Sequence, residues 1–350
     1  MIDTLFRKDL LEDTVMRIAI IGCGGIAATH AKCLKKLTGL ELVAFADIIP
    51  EKAAVFAEEY GGKAYASMEE LLAQEELDAI HICTPHYLHA PMAVYGLAHG
   101  VHVFMEKPPV ISKEQLKELK EAVKSSDRQL GFCFQNRYNP SIIKVKELLA
   151  SGKPGRIRGA RGLVTWHRTK PYYTESGWRG SLETEGGGAL INQSIHTLDL
   201  LHYLVNDKPV SVDAVIANHH LKGVIEVEDM MSAYVVYPEA VVCFYTTTAY
   251  SADPAPLIEL DCENMTIRIE ELNVTCCHKN GETEHIQLEG KKGYGKSYWG
   301  AGHEDCIRDF YNSIEAKSNF TLNLESMEST ILLMLGAYES ARTSQEIKLS

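Results

Sequence analysis

Four groups of residues in this chain have types and spacings that could do chemistry. The first is Ile18-Ala19-Ile20-Ile21-Gly22-Cys23-Gly24-Gly25-Ile26-Ala27, an apolar strand running into a G-x-G-x-x-A turn that opens a helix. Glycines at Gly22, Gly24 and Gly25 let backbone approach a pyrophosphate, and the helix N-terminus at Ile26 offers N–H groups and a positive dipole end. Asp47 closes the next apolar run, where a carboxylate accepts hydrogen bonds from ribose hydroxyls and repels a 2′-phosphate. Ile48, Ile49 and Pro50 follow it, with no arginine or serine directly behind the acid, so NAD is expected as cofactor rather than NADP. The bland alternative is a tight turn plus a surface aspartate.

The other three groups are Thr84-Pro85-His86-Tyr87-Leu88-His89, Glu106-Lys107-Pro108, and Gly186-Gly187-Gly188-Ala189-Leu190-Ile191-Asn192-Gln193-Ser194-Ile195-His196. Oxidising a secondary alcohol removes a hydride from carbon and a proton from oxygen, so a base must stand within hydrogen-bond reach. Histidine titrates near neutrality and suits that task. A lysine near a cationic ring has its pKa lowered, and in either form it can polarise the oxygen. Against this, a lone helix histidine is more often structural, and a lysine at a strand end is usually solvated.

In order and spacing these motifs resemble the glucose–fructose oxidoreductase, inositol dehydrogenase and rhizopine-catabolism family, written Gfo/Idh/MocA, over nearly the whole chain from Met16. The resemblance implies a nucleotide-binding domain, then a substrate domain whose sheet builds a homodimer or homotetramer. It implies that Lys107 reaches the substrate hydroxyl and that His196 is the acid/base. It also puts Thr84, Pro85, His89, Glu106 and Lys107 beside the cofactor, with a cis peptide before Pro108. Many members carry aspartate four residues before the histidine; this chain has Asn192. At i and i+4 the two side chains should meet, but an amide stabilises an imidazolium less than a carboxylate does. Either His196 works with a lower pKa, or Asp199 supplies the charge; a structural contact is the plainer reading of Asp199.

The stretch Trp166-His167-Arg168 through Tyr172, Tyr173, Trp178 and Arg179 precedes the triple glycine. Aromatic faces stack on pyranose rings, and arginine offers a fork of donors to oxygens or phosphates. Trp166, His167, Tyr172, Trp178, Arg179 and His196 are therefore substrate candidates, joined by Arg137, with Asn136 and Tyr138 beside it. Packing of one domain against the other explains the rings equally well. His303 at a helix start and His30 on the first helix read as packing residues.

These residues need elements to hold them. Strands are expected at Arg17–Ile21, Glu41–Ala46, Ala79–Cys83, His102–Met105 and Leu130–Phe134. Helices are expected at Ile26–Leu37, Glu51–Glu59, Met68–Ala73, Ala90–His99 and Lys113–Lys124. Apolar strands alternating with helices mean a parallel sheet covered on both faces, the doubly wound α/β plan. After Asn139 come a helix (Pro140–Ala150), β-rich segments with a hairpin turning at Asn280–Gly281, a long helix at Gly188–Val205 and two closing helices. That pattern predicts an α+β domain with a large, mainly antiparallel sheet. The expected organisation is an arm over residues 1–15, a nucleotide-binding domain over 16–138, and a substrate and oligomerisation domain over 139–350.

Bulk composition narrows the function. The 350 residues are 45% hydrophobic and 23% charged, ordinary globular values that suit two domains. A net charge of −12 argues against a nucleic-acid partner, and no apolar run is long enough to span a membrane. The nine cysteines show neither metal-ligand spacing nor a disulfide framework, so no metal is expected and the thiols suit a reducing cytoplasm. The N-x-T sequons at Asn273 and Asn319 then carry no meaning. The leading expectation is an NAD-dependent dehydrogenase of a sugar, glycoside, polyol or nucleotide sugar. An NAD-retaining, redox-assisted glycosidase and a non-catalytic sugar or nucleotide sensor are the alternatives; both Lys107 and His196 speak against the sensor.

Overall fold

The strand β1 (Met16–Ile21) is fully buried from Ile18 onward, as an unbroken β-branched run must be when helices cover both faces of a parallel sheet. It lies in a computed structural model that describes residues 15–290 and 300–349. The expected arm thus falls, apart from Val15, outside the described residues. From β1 the chain runs through α1 (Gly25–Leu34), β2 (Leu40–Ala46), α2 (Pro50–Tyr60), β3 (Lys63–Tyr65) and α3 (Met68–Gln74). It continues through β4 (Ala79–Ile82), α4 (His86–Ala98), β5 (His102–Met105), α5 (Lys113–Lys124) and β6 (Leu130–Phe132). The six strands are parallel in the order β3-β2-β1-β4-β5-β6. The order reverses between β1 and β4, which opens a crevice at their carboxyl ends.

Two elements differ from the sequence expectation. The three-residue β3 is too short to leave a periodic signal. The helix α4 starts a turn earlier than Ala90, with Pro91 inside it. Pro91 has no N–H for the Tyr87 carbonyl, and the Gln115 side chain donates to that carbonyl at 3.0 Å instead.

A 3₁₀ turn (Gln135–Tyr138) leads into α6 (Pro140–Ala150), β7 (Ile157–Thr165) and α7 (Lys170–Thr174). The helix expected at Gly188–Val205 is a π-helical segment (Ala189–Ser194) continuing as α8 (Ile195–Val205). Then come β8 (Ser211–Ala217), β9 (Met230–Val236), β10 (Val241–Thr247), β11 (Leu257–Cys262), β12 (Met265–Glu270), β13 (Asn273–His278) and β14 (Thr283–Gln287). After these lie α9 (His303–Glu315), α10 (Leu324–Thr343) and β15 (Ile347–Lys348). Among the described residues the second sheet has nine strands, ordered β14-β13-β12-β11-β7-β10-β9-β8-β15. Only the β7–β10 pair is parallel. The helix α8 lies close on β7 at Gly162, where a Cβ would meet Leu201 at 2.6 Å.

The two layers share their cores. The later helix α9 packs on the first sheet: Phe310 lies 5.1 Å from Phe104 between ring centres, and Tyr311 reaches His81 on β4. A boundary at residue 138 therefore marks a change of sheet but not a clean division of the packing. No helix among the described residues is long and apolar enough to cross a membrane.

Candidate functional site

The carboxyl end of β1 is shaped for backbone to approach a ligand. Gly22 has φ of +88°, and a Cβ there would sit 2.8 Å from the Cys83 carbonyl, so only glycine fits. At Gly24 and Gly25 a Cβ would meet nothing within 4 Å. The helix α1 has no side-chain cap and no acidic residue in its first turn, so the N–H groups around Ile26 stay available for an anion. Asp47 ends β2 against this turn, accepting from the Cys23 N–H and the Ile49 N–H, each at 2.8 Å. Those bonds fix the carboxylate and leave each oxygen a further lone pair. The open cradle, the uncapped helix and the fixed acid fit a dinucleotide with an unphosphorylated ribose.

The loops leaving β4 and β5 are joined by His89. Its ring nitrogens lie 2.8 Å from the Thr84 and Pro108 carbonyls, and the neutral ring donates to one of them at a time. Sealed in this way, His89 braces the loop of Thr84 and Pro85 against the cis Lys107–Pro108 peptide. Both ring nitrogens thus face backbone carbonyls. Glu106 is likewise buried and accepts from His30 Nε2 at 3.0 Å. Behind it, His30 Nδ1 meets His81 Nδ1, and His81 Nε2 meets the Tyr311 hydroxyl, each at 2.8 Å. Neutral rings satisfy every contact if Tyr311 donates to His81, His81 to His30, and His30 to Glu106. Burial alone would raise the Glu106 carboxyl, but the hydrogen bond from His30 and the Lys107 charge hold it well below its ordinary value.

Lys107 leaves this base and crosses to the second layer, where its ammonium donates to the Asn192 carbonyl at 2.8 Å. Burial lowers its pKa, and Glu106 and Arg179 act in opposite directions on it. The acceptor is a carbonyl of the π-helical segment, which the triple glycine admits. A Cβ on Gly187 would strike the Tyr338 hydroxyl, and one on Gly188 the Glu228 carbonyl. The buried Glu228 carboxylate accepts from the Gly188 N–H at 2.8 Å, the Leu190 N–H at 3.0 Å and the Tyr338 hydroxyl at 2.8 Å. It is the acid that sets the start of this segment.

His196 follows one turn later, partly exposed, its ring 5.7 Å from that of Phe134. Its Nδ1 is sealed and has no hydrogen-bond partner among the described residues. Burial, then the charge of Lys107, pushes the ring down to about 3. The expected Asn192–His196 meeting is corrected. The Asn192 amide points instead to Glu185 and, at 3.4 Å, to the Tyr172 hydroxyl, because it sits on the wider π turn ahead of α8. Asp199 is structural. It takes both ends of the Arg137 guanidinium, at 2.6 and 2.8 Å, and the Thr330 hydroxyl at 2.7 Å. Two of the three Arg137 guanidinium nitrogens are committed to this pair.

Glu185 carried no sequence signal beyond standing before the glycines. It is fully buried, accepts from the Gly180 N–H and the Asn192 amide, and is pushed up to about 7 by burial. Of the loop candidates, Trp166 is buried in the main core with its indole N–H on the Pro254 carbonyl, and His167 contacts the Tyr250 carbonyl. Both are tied to the strand end. Tyr172, Trp178 and Arg179 remain around Glu185 and Asn192. Tyr138 donates to Asp309 at 2.6 Å, and Asn136 keeps a buried Oδ1 without a partner among the described residues.

Residues 16–134 match the family model described as GFO_IDH_MocA, oxidoreductase family, NAD-binding Rossmann fold, and residues 142–268 match the GFO/IDH/MocA C-terminal domain. The chain is 30% identical over 202 residues to the D-glucoside 3-dehydrogenase of Escherichia coli strain K12, covering 57% of this chain and 56% of that one. It is 28% identical over 202 residues to the inositol 2-dehydrogenase of Rhizobium meliloti strain 1021, 58% of each. The match thus spans little more than half the length of these curated relatives. Among solved structures, the WlbA dehydrogenase from Bordetella pertussis in complex with NADH and UDP-GlcNAcA superposes with a TM-score of 0.84 at 27% identity, over 96% of this chain and 99% of that one. Levoglucosan dehydrogenase, at 20% identity and a TM-score of 0.84 over 95% and 98%, shares the fold.

Proposed function

The chain belongs to the Gfo/Idh/MocA oxidoreductase family with its NAD-binding Rossmann fold, and from that premise we propose that it oxidises or reduces a secondary alcohol or ketone carbon of a sugar-like substrate with NAD. The observation that carries this reading is the bond from the Lys107 ammonium to the Asn192 carbonyl. It draws a lysine from the end of β5 and the turn before His196 together at the carboxyl edge of the parallel sheet, where open α/β sheets hold their ligands. Relatives named for acting on glucosides and inositols support the substrate class.

Bound NAD supplies the two-electron acceptor or donor. The protein's part is to hold the sugar and manage one proton. Lys107, as ammonium, donates to the substrate oxygen and stabilises negative charge developing there. His196 is neutral at working pH, so it can accept the hydroxyl proton; the same Lys107 charge that depresses it favours handing that proton on. Tyr172 and Trp178 offer ring faces to a pyranose. The exposed face of the nine-stranded sheet, with Val215 and Tyr234 about half open, supports assembly into homodimers or homotetramers.

The test is NADH formation across aldoses, inositols, glycosides and nucleotide sugars. NADH should accumulate with at least one of them. Aglycone release without accumulating NADH would assign the chain to redox-assisted glycosidases instead, and failure to bind NAD would overturn both readings.

A further inference from the structure

Among the described residues, no carboxylate forms a salt bridge or hydrogen bond with Arg179. Its Nε is sealed from solvent, and its guanidinium makes no hydrogen bond or ion pair among the described residues. Two better-buried arginines are matched: Arg137 with Asp199 at 2.6 Å, and Arg168 with Asp253 at 3.0 Å. Arg179 is half-buried, and a sealed guanidinium nitrogen with nothing to donate to is costly, so it calls for a partner such as a ligand.

The setting of Arg179 is built. The guanidinium carbon lies 4.4 Å from the centre of the Trp178 ring and 4.7 Å from that of Tyr172. Aromatic contact occupies its faces and leaves the donor edge for an in-plane partner. Both rings are themselves anchored. Trp178 packs on His86 with ring centres 4.7 Å apart, and the Thr184 hydroxyl donates to the Trp178 carbonyl at 2.6 Å. The Tyr172 hydroxyl accepts from the Gln193 amide at 2.9 Å and from Asn192 at 3.4 Å. Arg179 is thus held beside the segment that Lys107 reaches. Glu185, the nearby carboxyl, feels the Arg179 charge, but its oxygens are taken by the Gly180 N–H and the Asn192 amide, and burial outweighs that charge in raising its pKa.

We propose that Arg179 is the anion-binding residue of the substrate pocket, so that the sugar this protein acts on carries an oxyanion, a carboxylate or a phosphate. The inference rests on the redox reading above. A guanidinium edge matches either group bidentately, and Lys107 adds a second positive charge to the same cleft.

Calorimetry of the full chain with matched ligands, each with and without saturating NAD, tests this. The ligands are D-glucose, D-glucuronate and D-glucose 6-phosphate, the corresponding galactose series, and UDP-glucuronate. In at least one set the anionic member binds at least tenfold tighter than its neutral partner. A uronate alone identifies a carboxylate, and the phosphorylated sugar alone a phosphate. Arg179→Gln abolishes the preference, Arg179→Lys keeps part of it, and both variants bind NAD within a few-fold of the parent, which shows that they are folded. Equal binding of neutral and anionic sugars, no binding by any anionic member, or a preference that survives in Arg179→Gln overturns the proposal. NADH formation from a neutral sugar without anion preference would overturn the proposal and leave the redox reading standing, whereas failure of the parent protein to bind NAD would overturn the redox reading and the inference with it.

Discussion

The Asn192 carboxamide donates to the buried carboxyl of Glu185, and no hydrogen bond among the described residues joins it to His196. Replacing it with the family's usual acid therefore acts on Glu185. In Asn192→Asp two carboxyls face each other and share a proton, which raises the pKa of the pair further above about 7. His196, held at about 3 by burial and Lys107, should change little. In pH–rate profiles of both proteins, the limb near neutrality should move to higher pH. An unmoved limb would separate Glu185 from the titration that activity reports.

Glu185 itself should leave a pH signature in stability. Its folded pKa of about 7 lies above the ordinary 4.5, so the fold favours the protonated form. The sign follows: below the unfolded pKa the neutral acid carries no penalty. As pH rises toward and past 7, stability is lost, by up to roughly 3 kcal/mol. Glu185→Gln has no such titration, so its melting temperature relative to the parent should rise between acid and mildly alkaline pH. A difference independent of pH would show that Glu185 titrates normally.

Lys107→Ala and His196→Ala should each lower turnover by about 10²–10⁴-fold while leaving NAD affinity within a few-fold. On the proposed reading both side chains act toward the substrate oxygen, away from the glycine turn, so the loss should belong to the chemical step. Single-turnover rates and NAD titrations separate the two effects. Near-normal kcat in either variant would remove that residue from the chemistry.

Asp47 should give NAD at least tenfold tighter binding than NADP, about 1.4 kcal/mol. Asp47→Ala should erase the preference. It should also weaken NAD itself, because the Cys23 N–H loses the acceptor that fixes the glycine turn at 2.8 Å. Calorimetry with both nucleotides measures each effect, and equal affinities in the parent protein would take Asp47 out of the ribose site.

The sequence by itself determined the two layers and the cofactor end of the site. Unbroken apolar runs such as Ile18–Ile21 and alternating ones such as Met265–Glu270 carry their burial in local periodicity. The turn at Gly22 needs a positive φ that only its own residue type supplies. These are short-range properties, and they were legible. Tertiary structure alone decided what long-range partners decide. Arg137 lies 62 positions from Asp199, and nothing local to either says that they pair; Trp166 is likewise claimed by Pro254, 88 positions away. An i,i+4 rule placed Asn192 against His196, but Glu228 and Tyr338 close the triple glycine into a π turn and direct the amide to Glu185. Glu185 has no local signal beyond standing before a glycine run; burial by distant parts of the chain raises its pKa to about 7. A side chain's charge is written in the sequence, but its partner and its solvent are properties of the fold.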